Sequence, residues 1–177
     1  MMIIAIILLL IVALLLFAAT RPDDFRIERS LQIQARPEQV FSLINDFHEW
    51  EAWSPWEKVD PAVKRSYSGS DAGKGAIYAW QGNKQLGEGR MEILETQPYT
   101  LMRIQISFIK PFKAQNTIEF HLVPKADGTE VSESMFGRSN FISKLMGVFC
   151  NMDKMVGSKF DEGLRSLKDI AEKPASA

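Results

Sequence analysis

The chain has 177 residues, a formal net charge of −1 and a single cysteine. That length allows one domain with a substantial core. The near-neutral balance excludes a general nucleic-acid binder, which needs a basic face, and Cys150 alone builds neither an intramolecular disulfide nor a cysteine metal cluster.

Residues 1–19 hold only Met, Ile, Ala, Leu, Val and Phe. About 20 apolar residues are what a helix needs to cross a bilayer, so residues 1–20 are predicted as a transmembrane helix and 21–24 as a short linker around Pro22. The rival reading is a cleaved signal peptide, for which Ala18-Ala19-Thr20 offers small residues. No Lys or Arg precedes the apolar run, and the run exceeds a usual signal core. Arg21, Arg26, Arg29 and Arg36 follow it, which by the positive-inside rule places the domain of residues 25–173 on the cytoplasmic side of a single-pass membrane protein.

Residues 25–34 alternate as a half-buried strand: Phe25, Ile27, Leu31 and Ile33 share one face, with Arg29 out of pattern. Pro37 opens a helix with Val40, Phe41, Ile44 and Phe47 as its apolar stripe. Asn45-Asp46 and His48 break that pattern, so two short helices are expected before Trp53. Trp50, Trp53 and Trp56 then fall within seven positions, and Pro55 ends any helix there. Six further strands are predicted, over 63–68, 76–81, 84–96, 99–108, 112–123 and 129–138. The punctuation is a loop at 69–75, Gly82-Asn83 as a hairpin pair, Gln97-Pro98, Lys110-Pro111 and Ala126-Asp127-Gly128. The loop with Gly69, Gly73, Lys74 and Gly75 is not a phosphate loop: its glycine spacing is one short and a strand follows it.

The last long segment organises the rest. Phe141, Leu145, Phe149, Met152, Val156, Phe160, Leu164 and Leu167 recur at steps of three and four, which predicts one helix over 140–172. Asn140 is its expected N-cap, Pro174 follows its end, and Cys150 is read as a buried, inert thiol within it. Strands joined by tight turns form an antiparallel meander whose apolar face the helix stripe covers. The fold class is therefore α+β, a seven-stranded curved sheet wrapped around a long C-terminal helix.

Several motifs make the chain resemble the START-like helix-grip superfamily, also called SRPBCC, and within it the polyketide cyclase/dehydrase and lipid transport branch. They are Pro37-Glu38-Gln39-Val40-Phe41, the tryptophan segment from Trp50 to Trp56, and Gly73-Lys74-Gly75-Ala76-Ile77-Tyr78-Ala79-Trp80. Gly87-Glu88-Gly89, Asp127-Gly128-Thr129 and Gly163-Leu164 with Leu167-Lys168 complete the set. Relatives often carry a tryptophan near Ser134, a departure expected to alter the cavity wall. The resemblance implies a hydrophobic pocket between sheet and helix for lipids, polyketides or other apolar molecules. The candidate lining residues are Phe41, Trp53, Trp56, Tyr78, Trp80, Met91, Met102, Phe120, Met135, Met152 and Met155. Asp46, Tyr78, Glu88 and Arg103 are candidates for orienting a ligand.

No metal-ligand spacing and no nucleophile elbow is present, so neither cofactor nor catalytic residue is expected. His48 and His121 read as surface residues. The leading function is membrane-anchored binding or transport of a hydrophobic small molecule. The alternatives are a cyclase or dehydratase using Glu88 or His121, and a module that holds a protein partner at the membrane.

Overall fold

Mostly apolar residues at every second position make the strands of this chain half-buried ribbons, and the sheet they form positions the rest of the domain. The structure, a computed structural model, describes residues 2–139, 141–149 and 151–173. Asn140, Cys150 and Pro174, read above as cap, buried thiol and helix stop, lie outside them.

The seven strands are β1 (Asp24–Ile33), β2 (Lys64–Gly69), β3 (Ala76–Gln81), β4 (Glu88–Gln97), β5 (Leu101–Lys110), β6 (Ala114–Lys125) and β7 (Gly128–Arg138). They form one sheet in the order β1-β7-β6-β5-β4-β3-β2, antiparallel throughout. Bulges at Glu88/Gly89 and Ile93/Glu95 of β4 bend it. The hairpin at Gly82-Asn83 is longer than the two-residue turn expected from sequence. Gly82 N–H donates to the Gly87 carbonyl, and the Asn83 side chain accepts from Gln85 and Leu86 N–H, so the loop runs to Gly87 before β4 begins.

Between β1 and β2 lie α2 (Pro37–Asn45), a 3-10 turn at Phe47–Glu49, α3 (Trp50–Trp53) and a second 3-10 turn at Pro55–Lys58. α1 (Met2–Ala19) precedes them all. Its residues are apolar on every side and, Leu14 and Ala18 apart, exposed, an arrangement that water does not favour. It is a candidate membrane anchor or signal sequence.

The C-terminal segment is two helices, α4 (Phe141–Phe149) and α5 (Met152–Ala171), where the sequence periodicity predicted one. Asn151 has extended backbone, and its side chain accepts from Lys154 N–H at 2.9 Å. With Asp153 in the first turn it starts a new helix. The apolar stripe divides accordingly. Val156, Phe160, Leu164 and Leu167 are buried against the sheet, whereas Phe141, Phe149 and Met152 are exposed. α4 lies instead against α1, and α5 is the long helix gripped by the sheet.

Arg29, out of pattern in the sequence, faces inward on β1 and clamps α5. Its guanidinium donates to both Asp153 carboxylate oxygens at 3.0 and 3.1 Å and lies 3.4 Å from Asp161. Gly157 makes room, since a Cβ there would stand 2.1 Å from Arg29 Nη2. The guanidinium holds the Asp153 carboxyl below the usual carboxylate range.

Candidate functional site

Between the inner face of the sheet and the α4–α5 segment is a cavity of about 1010 Å³. Its walls come from β1, β3, β4, β5, β6 and β7, the tryptophan segment and both C-terminal helices. Three of these contributions follow directly from local sequence. Alternation points Tyr78 and Trp80 of β3, Met91 of β4, Ile106 and Phe108 of β5 and Met135 of β7 to the same side. Pro55 stops α3 and turns the chain, so that Trp53 is buried and Trp56 stays at the rim, 39% exposed. Gly163 on α5 lets Pro55 and Trp53 close in against that helix.

Of the residues read from sequence as lining, Trp53, Trp56, Tyr78, Trp80, Met91, Met135, Met152 and Met155 border the cavity. Phe41, Met102 and Phe120 do not. Phe41 packs edge-on to Tyr99 at 5.7 Å. Met102 and Phe120 are fully buried core, with Phe120 set edge-on to Trp50 and Trp53 at 6.0 and 6.1 Å. These two share an inward-facing row with Glu133 of β7, and of the three only Glu133 reaches the cavity.

The tryptophan segment serves both core and wall. Trp50 Nε1 donates to the Ile44 carbonyl at 2.9 Å and Trp53 Nε1 to the Leu43 carbonyl at 3.0 Å, which fixes both rings under α2. Trp80 differs. It is buried over Gly89, where a Cβ would approach its ring to 2.5 Å, and its Nε1 has no hydrogen-bond partner among the described residues.

Among the four polar residues suggested as ligand-orienting, Tyr78 is in the wall. Its hydroxyl donates to Glu57 Oε1 at 2.5 Å, and Arg65 Nε donates to the other Glu57 oxygen at 2.6 Å. Burial, then this bond, pushes the Tyr78 phenol well above its ordinary range, so it stays a neutral donor. The other three lie outside the cavity lining. Asp46 caps the turn at His48, Glu88 pairs with Lys110 at 2.7 Å, and Arg103 pairs with Glu119 at 2.6 Å and with Glu95. His121 sits 3.4 Å from Glu119 and His48 stacks on Tyr67, both half-exposed. The cyclase candidates Glu88 and His121 therefore do not border the cavity.

Sequence reasoning missed Glu133. It lines the cavity, is 6% exposed and has no hydrogen-bond or ion-pair partner among the described residues. Burial pushes its carboxyl up to about 8. The signal was available: Glu133 is in phase with Thr129, Val131 and Met135 on β7, the only acid on that strand's apolar face. Ser134, where an altered wall was expected, points to the other face of β7 and does not touch the cavity.

The outer end of the cavity is bordered by Arg21 and Pro22, which directly follow α1, and by Lys144, Met146 and Phe149 of α4. Lys144 pairs with Asp23, and Arg21 lies over the Phe17 ring at 5.2 Å, so the base of α1, the linker and α4 meet at this opening.

The profile of the polyketide cyclase/dehydrase and lipid transport family matches residues 24–172. The chain belongs to this family. The family's helix-grip architecture is the one described above. Among solved structures, a protein from Chromobacterium violaceum is 17% identical, with a TM-score of 0.61 over 87% of this chain and 100% of its own. A protein from Mesorhizobium loti is likewise 17% identical, at TM-score 0.60 over 84% of this chain and 100% of its own. The di-domain ARO/CYC StfQ from the steffimycin biosynthetic pathway gives TM-score 0.61 at 10% identity, over 85% of this chain and 51% of its own. No curated protein matches the sequence. At these identities the likeness to solved structures is one of fold.

Proposed function

We propose that this family member is a membrane-anchored binder or carrier of a hydrophobic small molecule, held between sheet and C-terminal helices. One observation carries the reading: a cavity of about 1010 Å³ walled by tryptophan, methionine and aliphatic side chains, at the upper end of the range of small-molecule sites. Tyr78 and Glu133, with Ser54, Glu57 and Asn116, are among the polar groups set between them, the kind of group by which an apolar site fixes orientation. α1 as an anchor would bring the outer opening to the bilayer surface, because Arg21 and Pro22 belong to both. The arginines at 21, 26, 29 and 36 favour a cytoplasmic domain.

Purification of the full chain in mild detergent, followed by native mass spectrometry and organic extraction, tests the reading. An apolar compound bound at about one per chain is the expected result. A chain that carries none, and whose tryptophan fluorescence does not respond to added apolar compounds, would overturn it. A cyclase or dehydratase reading is favoured by one feature alone, the buried carboxyl of Glu133, which would then be the general acid.

A further inference from the structure

The cavity is unequal at its two ends. The outer opening has charged and exposed apolar groups, and at the inner end Glu133 borders the space beside Met102 and Phe120 of the same row, which do not themselves reach it. Two of those three are tight core. The third is a carboxyl group facing the space. Its cross-strand neighbour on β1 is Arg29, the obvious counter-ion, yet the Arg29 guanidinium is turned to α5 and occupied by Asp153 and Asp161. Lys159, the one cation of α5 in the cavity lining among the described residues, is paired with Glu162 at 2.7 Å. A buried polar group left without a partner is unfavourable, and such groups in folded proteins are almost always satisfied by something. Here the open space in front of Glu133 is the place from which that partner would come.

We propose that Glu133 is the group to which the guest is hydrogen-bonded, and that the guest is an uncharged apolar molecule carrying a carbonyl or hydroxyl oxygen at its inner end. A hydrocarbon tail reaching this end would leave the carboxyl unpartnered. A free fatty-acid carboxylate would set a second acid against it, where the cross-strand cation Arg29 is already held by Asp153 and Asp161. A ketone, ester or alcohol oxygen accepts a hydrogen bond from the carboxylic acid and leaves both groups satisfied. Trp50 and Trp53, in ring contact at 4.8 Å, also border the cavity and add aromatic surface for an apolar guest.

This inference rests on the cavity being the binding site, and one titration separates the two. The full chain in detergent is titrated with methyl undecyl ketone, tridecane and laurate, read by quenching of the wall tryptophans. The native protein is expected to prefer the ketone to the other two by about tenfold, the scale of one hydrogen bond. Glu133→Leu should remove that preference, with tridecane bound at least as tightly because no carboxyl is left unpartnered, and Glu133→Gln, which keeps a donor, should retain most of it. Equal binding of ketone and tridecane by the native chain, or an unchanged preference in Glu133→Leu, would overturn the assignment and leave the cavity reading standing. Quenching by none of the three in the native chain would overturn both.

Discussion

Glu133 is a residue whose protonation and surroundings are tied to the stability of the whole domain. Its carboxyl is raised by burial to about 8 from 4.5, so between those values the folded chain holds a proton that the unfolded chain has released. Linkage then gives the sign. The contribution is fully present below about pH 4.5 and is lost as pH rises towards 8, at up to about 1.4 kcal/mol per pH unit. The charged groups on neighbouring elements, Arg29 on β1 and Asp153, Lys159 and Asp161 on α5, are engaged with one another or with Glu162 and do not offset it. Urea unfolding of the guest-free chain at pH 5, 7 and 9 should show stability falling with pH. In Glu133→Leu the fall should flatten, and the variant should be more stable than the native chain at pH 9. An equal slope in both would show that the carboxyl is solvated. The aromatic wall is set at the same scale: Gly89 exists as glycine because the Trp80 ring occupies the place of its Cβ.

At the scale of elements, the break between α4 and α5 governs the shape of the cavity. Asn151 supplies the cap, and Asn151→Ala should cost about 1 kcal/mol, measured by thermal or urea unfolding. No change would mean that packing alone starts α5. This break also marks where sequence stops being informative. The strands were legible to within a few residues, because alternation at Ile104, Ile106 and Ile118 or at Tyr78 and Trp80 is a local consequence of pleating. The break was not legible, because Phe141, Leu145, Phe149, Met152 and Val156 keep helical spacing straight across Asn151. Both helices are amphipathic in the same phase, so periodicity cannot register that one grips the sheet while the other faces α1. The site was partly legible for the same reason. Aromatic and methionine positions on inward faces could be named, but whether an inward residue meets a cavity or solid core, as Trp80 and Phe120 do respectively, depends on packing across three or more strands. Glu133 escapes a reading of β7 that follows the strand's extent and not which face its acid occupies.

At the scale of the molecule, α1 spans roughly 27 Å as a helix of 18 residues, close to the hydrocarbon thickness of a bilayer. Its last turn meets the linker and α4 beside the cavity opening. If α1 stays in place as an anchor, alkaline carbonate washing of membranes should leave the chain in the pellet, and mass spectrometry should find the apolar N-terminal peptide intact. A mature chain starting near Arg21 would identify a signal sequence instead. The exposed side chains of Met146, Phe149 and Met155 would then face water, not lipid.

The sheet has one further consequence, for the order in which the protein is made. β1 is completed only by β7: Asp24 pairs with Arg138 and Ile33 with Thr129, the first and last strands of the domain. The earliest-synthesised strand must therefore wait, its edge unpaired, until nearly the whole domain has left the ribosome, and closure of so long a loop is slow. Throughout that interval β2 to β6 can each pair with a sequence neighbour as they emerge, whereas β1 has none to pair with, and this waiting edge is the part of the sheet exposed to chaperones.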